Sequence, residues 1–126
     1  MKYTTIKLFC GYLLILLFMI LCSSAKAQSP CSDKLCVVEF NASFNQQNSV
    51  NWLGDLTDCK IDRISIDANK TTQQQQIDYG IVVVPTIIIF NEGKEIKRFQ
   101  ANIMMQMEAT KKDVQEQIDE ILMDSF

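Results

Sequence analysis

Histidine occurs nowhere in the 126 residues, which removes the usual general base near neutral pH and the commonest protein metal ligand. Ser-His and Cys-His catalysis are thereby excluded. Long apolar runs are scarce as well. The run Leu8 to Cys22 has 15 residues, short of the roughly 20 that a membrane-crossing helix needs. Lys2 and Lys7 stand at its start, and Ala25-Lys26-Ala27 follows with small residues at the two positions a signal peptidase reads. That is the pattern of a cleaved export signal over residues 1–27. The expected location is periplasmic or secreted, with a membrane touched only through this segment if it stays uncleaved.

Positive charge is the next shortage. All 15 acidic residues but only 9 of the 12 basic ones fall in Gln28–Phe126, a net charge of −6, so nucleic acid finds no electrostatic footprint. These 99 residues suit one domain with one modest core. Of the five cysteines, Cys10 and Cys22 leave with the signal, and Cys31, Cys36 and Cys59 remain. In an oxidising compartment three thiols permit one bridge and one free thiol. A zinc site needs four good ligands, so neither a metal nor a cofactor is expected.

Cys36-Val37-Val38-Glu39-Phe40 reads as a strand covered on both faces. From Gln46 to Asp58 the residues Val50, Leu53 and Leu56, with Trp52 beside them, predict a helix of about three turns. Lys60 to Asp67 carries Ile61, Ile64 and Ile66 and predicts a second strand. Thr71 or Thr72 then caps a short helix through four glutamines, ended by Gly80. Pro85 delays the next strand to Thr86–Phe90, and Asn91-Glu92-Gly93 turns it into Lys94–Gln100. Thr110 with Asp113 forms a capping-box pattern ahead of the stripe Val114, Ile118, Ile121 and Leu122. Ile103 to Met107 is an apolar segment whose methionines read as flexible core filler. The order is β-α-β-α-β-β-α. Right-handed crossovers make the first strands parallel, and the hairpin adds an antiparallel one.

This order, with Val37-Val38-Glu39-Phe40-Asn41-Ala42-Ser43-Phe44, Tyr79-Gly80 through Val84-Pro85-Thr86 to Phe90, and the Asn91-Glu92-Gly93-Lys94-Glu95 hairpin, resembles the thioredoxin superfamily. The resemblance implies an α/β thioredoxin-like fold over residues 36–126, a four-stranded mixed sheet flanked by helices. Residues 28–35 form a short lead-in, with no room for the family's extra first strand and helix. The family's C-x-x-C motif falls on Asn45-Gln46-Gln47-Asn48. Thiol exchange needs a thiolate, and an amide has no ionisable nucleophile. Pro85 matches the family's cis-proline, with Val84 offering its backbone to an extended peptide. The implied site is therefore a vestigial face of Phe44, Asn45, Gln46, Gln47, Asn48, Val84 and Pro85, exposed and free to dock a protein or peptide, with no catalytic residue. Glu39 and Arg63 match a buried acid and a basic neighbour, expected as an ion pair between strands.

Cys36 opens the first strand and Cys59 precedes the second, so a Cys36–Cys59 disulfide is the first expectation, provided their Cα atoms lie within about 7 Å. Cys31–Cys36 is second and Cys31–Cys59 third. The leading function is a non-catalytic thioredoxin-like module; the alternative is a thiol-disulfide oxidoreductase working through Cys31, Cys36 and Cys59. Asn41-Ala42-Ser43 and Asn69-Lys70-Thr71 also match the N-glycosylation triplet.

Overall fold

All seven residues of strand β1, Leu35–Asn41, are buried, as expected for β-branched residues covered on both sides. The computed structural model describes residues 2–21, 30–31 and 34–126. Ahead of β1 lies helix α1 (Lys2–Leu21), whose side chains from Ile6 to Leu16 are exposed. Among the described residues no helix is long and apolar enough to cross a membrane. The expected cleavage site at Ala25-Lys26-Ala27 lies outside the described residues.

Strand β2 (Lys60–Ser65), helix α2 (Lys70–Asp78), strands β3 (Thr86–Asn91) and β4 (Lys94–Gln100) and helix α3 (Lys111–Asp124) follow. The four strands form one mixed sheet ordered β2-β1-β3-β4. β1 and β2 run parallel, with Cys36 level with Lys60 and Asn41 with Ser65. β3 departs from the expected parallel arrangement and runs antiparallel to β1, Thr86 standing opposite Phe40. The reason is the path after α2: Gly80 turns the chain at a φ of 60°, and the leg from Ile81 to Pro85 returns it to the end of the sheet that it had just left. The hairpin closes on Glu92 and Gly93, both at positive φ, the backbone that suits a two-residue turn between twisted strands.

Alternation along β1 and β3 divides the core in two. Val38, Phe40, Ile88 and Phe90 face one side with Cys31, Cys36, Ile66, Ile81 and Val84. Tyr79 packs there edge-on to Phe90 at 5.3 Å between ring centroids. Leu35, Val37, Ile87 and Ile89 face the other side with Val50, Leu53, Leu56, Val114 and Ile118. Helix α3 covers this second side, opened by the expected capping box of Thr110 and Asp113. Helix α2 starts on the reciprocal pair Asn69 and Thr72 and buries none of its own residues. Arg98 of β4 donates to the carbonyls of Tyr79 and Gly80 just beyond α2, satisfying acceptors that a helix end leaves open.

The helix expected from Gln46 to Asp58 is replaced by two short 3-10 turns, Ser43–Asn48 and Leu53–Asp55. Val50, Leu53 and Leu56 are buried on one side as their spacing requires, but the backbone does not close into α-turns. Ser49 is extended at φ −58°, ψ 138°. The N–H of Val50 goes to Glu39 Oε2 at 2.8 Å and its carbonyl accepts from Arg63 at 2.8 Å. Once a distant ion pair satisfies these groups, a stretch rich in weak helix formers such as Asn, Ser, Val and Gly has little reason to coil.

Candidate functional site

The carboxyl ends of β1 and β2, the turn Ser43–Asn48 and the bend ahead of β3 meet at one end of the sheet. Asn45, the first residue of the amide tetrad, is only 3% exposed. Its Nδ2 donates to the carbonyls of Val84 and Met105, both at 3.3 Å, and to Asn41 Oδ1 at 3.2 Å. Its Oδ1 accepts from Asn48 Nδ2 at 2.8 Å. Asn41 returns two bonds, to the Asn45 carbonyl at 3.1 Å and to Ser49 Oγ at 2.8 Å. The amides thus knot the strand end, the 3-10 turn, the bend and the loop after β4 into one unit.

The continuous exposed surface expected of Phe44, Asn45–Asn48, Val84 and Pro85 is not what the fold presents. Phe44, Gln46 and Gln47 are exposed and Asn48 half-buried, whereas Asn45, Val84 and Pro85 are buried. The Val84–Pro85 bond is cis, and of the Val84 backbone, expected to be presented to an extended peptide, the carbonyl already accepts from Asn45. Asn41 is buried too, so its glycosylation triplet is closed in the folded chain. Asn69 uses its side chain to cap α2.

Glu39 and Arg63 are brought together at 2.6 Å, the carboxylate buried and the guanidinium half-exposed. Both Glu39 oxygens are engaged, one by Arg63 and one by the Val50 N–H. A cleft of about 180 Å³ opens beside them, lined by Asn41, Gln46, Ser49 and Ser65 among others. Asp67 closes the far side of the turn. It accepts from the N–H and Oγ of Ser43 and from Ser65 Oγ, and the Ser43 and Ser65 hydroxyls with the Ser43 N–H hold its carboxyl down at about 2.

The disulfide joins Cys31 to Cys36, with Cα atoms 6.2 Å apart, and not Cys36 to Cys59. Strand parity explains the correction. Cys59 precedes Lys60, which is level with Cys36, so it stands beside Leu35 and packs with the opposite side of the sheet. Cys36 joins the first side. Burial, and secondarily the Asp58 carboxylate, pushes the Cys59 thiol up, away from the reactive thiolate. The three cysteines therefore do not form one cluster, and among the described residues no group of metal-ligating side chains converges.

Comparison with solved structures decides the fold. A thioredoxin from Halobacterium salinarum matches with a TM-score of 0.52 at 20% identity, over 70% of this chain and 74% of that one. The fold is thioredoxin-like. Fasciola hepatica thioredoxin matches at 0.51 and 19% identity, over 69% and 80% of the two chains. The Schistosoma mansoni thioredoxin pre-protein matches at 0.53 and 19%, over 71% and 80%. No protein-family model matches the chain, and no curated protein matches it.

Around the amide knot of this thioredoxin-like domain lie exposed residues of which the sequence singled out only Phe44 as part of a site. The loop after β4 closes on Asn102: its Oδ1 accepts from Met104 N–H at 2.9 Å and Gln106 N–H at 3.1 Å, and its carbonyl accepts from Met105 N–H at 2.9 Å. Held on this frame, Ile103 is 95% exposed, Met104 69% and Met105 41%. Met105 sits at a φ of 56°, a backbone that L side chains adopt at a cost of roughly 1 kcal/mol or more. Phe44 (69% exposed) and Val82 (81%) flank the knot in sequence on either side, next to Asn45 and near Val84. Phe44 was expected on an exposed face, whereas Ile103–Met107 was read as an apolar segment whose methionines fill the core.

Proposed function

We propose that this thioredoxin-like domain is a non-catalytic module that docks a protein or peptide segment on the apolar rim formed by Phe44, Val82, Ile103, Met104 and Met105. The observation that carries this reading is Asn45: at the position where the resemblance sets the family's nucleophile, the side chain is a buried amide engaged in hydrogen bonds. No helix starts there to stabilise a thiolate, because the segment forms 3-10 turns. Apolar side chains held out on a hydrogen-bonded loop are already ordered before a partner arrives, which lowers the entropic cost of docking. The partner was expected along the Val84 backbone; the exposed rim is the better supported surface. On the strength of the leader, its work is assigned outside the cytoplasm.

The opposing reading, disulfide exchange through Cys31, Cys36 and Cys59, lacks a geometric basis, since the bridge and the free thiol lie on opposite sides of the sheet. Two measurements test the proposal. Dithiothreitol-driven reduction of insulin is expected to run at the uncatalysed rate, and acceleration by the protein overturns it. A random peptide library panned on the protein is expected to yield uncharged apolar sequences whose binding falls at least tenfold in Phe44→Asp or Ile103→Asp. Binders indifferent to both substitutions overturn the assigned surface.

A further inference from the structure

The rim contains two thioethers in open solvent. Met104 and Met105 are exposed, whereas Met107 packs against the core side covered by α3. Asn102 fixes the loop beneath them, so their exposure is a built feature of the fold. The fourth methionine of the domain, Met123, is exposed in the last turn of α3. It lies outside the loop and bend that carry the rim.

The geometry points to Met104 and Met105 as a modification site through which oxidants control the docking face. Peroxide transfers one oxygen to each sulfur: the S–O bond forms, the O–O bond breaks, the thioether loses two electrons and the peroxide leaves as water. The product, a sulfoxide, is polar and chiral where the thioether was apolar and pliable. Two adjacent conversions turn two of the five rim side chains from apolar to polar while the core stays untouched. Thiol-dependent sulfoxide reduction reverses the step, the oxygen leaving as water while two thiols join as a disulfide. This control rests on the docking role proposed above.

The test is mild hydrogen peroxide treatment of the folded protein, followed by peptide mass mapping and by chromatography on a phenyl matrix. Met104 and Met105 are expected to gain an oxygen several-fold faster than Met107, with earlier elution from the matrix. The Met104→Leu/Met105→Leu variant, which conserves volume and apolarity, is expected to gain oxygen at Met123 and elute unchanged. Oxidation of Met107 at the rate of Met104, or unchanged elution after both rim methionines are oxidised, overturns the inference. The phenyl matrix reads the face without any partner. A failure of the peptide library therefore indicts the docking role, and a failure here indicts the control.

Discussion

Asn45 shows how one amide can define a site by filling it. Truncation in Asn45→Ala leaves the Val84 and Met105 carbonyls without this donor and Asn48 without its acceptor, in a place water reaches poorly. A loss of about 2–3 kcal/mol is expected for such unsatisfied buried groups, read as a lower urea midpoint with an unchanged slope. Asp67 acts on the same turn by charge. Its carboxyl titrates at about 2 when folded against an ordinary 3.8, so the folded state binds the proton less readily than the unfolded one. Its stabilisation is complete above about pH 4 and disappears as pH falls through 2. Thermal melts between pH 5 and pH 2 should therefore show a steeper loss for the wild type than for Asp67→Asn. Neither residue was legible as a pillar of the fold, because amides and acids in a polar stretch read as surface until a partner distant in sequence is known.

At the scale of elements, the strands, the hairpin and α3 were legible because each is specified locally. Thr86–Phe90 is a β-branched run, Glu92-Gly93 a turn, and Thr110 with Asp113 a reciprocal cap. The segment Gln46–Asp58 was not. Its spacing told correctly which residues are buried, but periodicity says nothing about which groups satisfy the backbone. Here Glu39 and Arg63 do so from β1 and β2. The disulfide was misread for a reason of parity, one residue along β2 being enough to move a thiol to the other side of the sheet. On loop-closure entropy, Cys31→Ser is expected to cost about 2 kcal/mol for so short a loop. Cys59→Ser should leave the melting temperature nearly unchanged. Calorimetry of the two single variants distinguishes this pairing from the Cys36–Cys59 one, in which Cys59→Ser would destabilise and Cys31→Ser would not.

For the molecule as a whole, the sheet order and the two-sided core carry a thioredoxin-like fold, and the end where β1 meets the bend ahead of β3 is held by hydrogen bonds. Asn45 and Asn48 already touch at 2.8 Å, and residues three apart eclipse in a 3-10 turn. The double variant Asn45→Cys/Asn48→Cys is expected to form a disulfide, detectable by mass and by thiol titration. It should still leave insulin reduction at background, and turnover well above background would refute that expectation. The ion pair of Glu39 and Arg63 shapes this end of the molecule through the backbone that it holds. By gripping the backbone of Val50 it accompanies 3-10 turns where an α-helix was expected, so no α-helical dipole is aimed at position 45. Two sulfurs introduced there by point mutation would sit on a main chain without that field, which side-chain replacement alone does not restore.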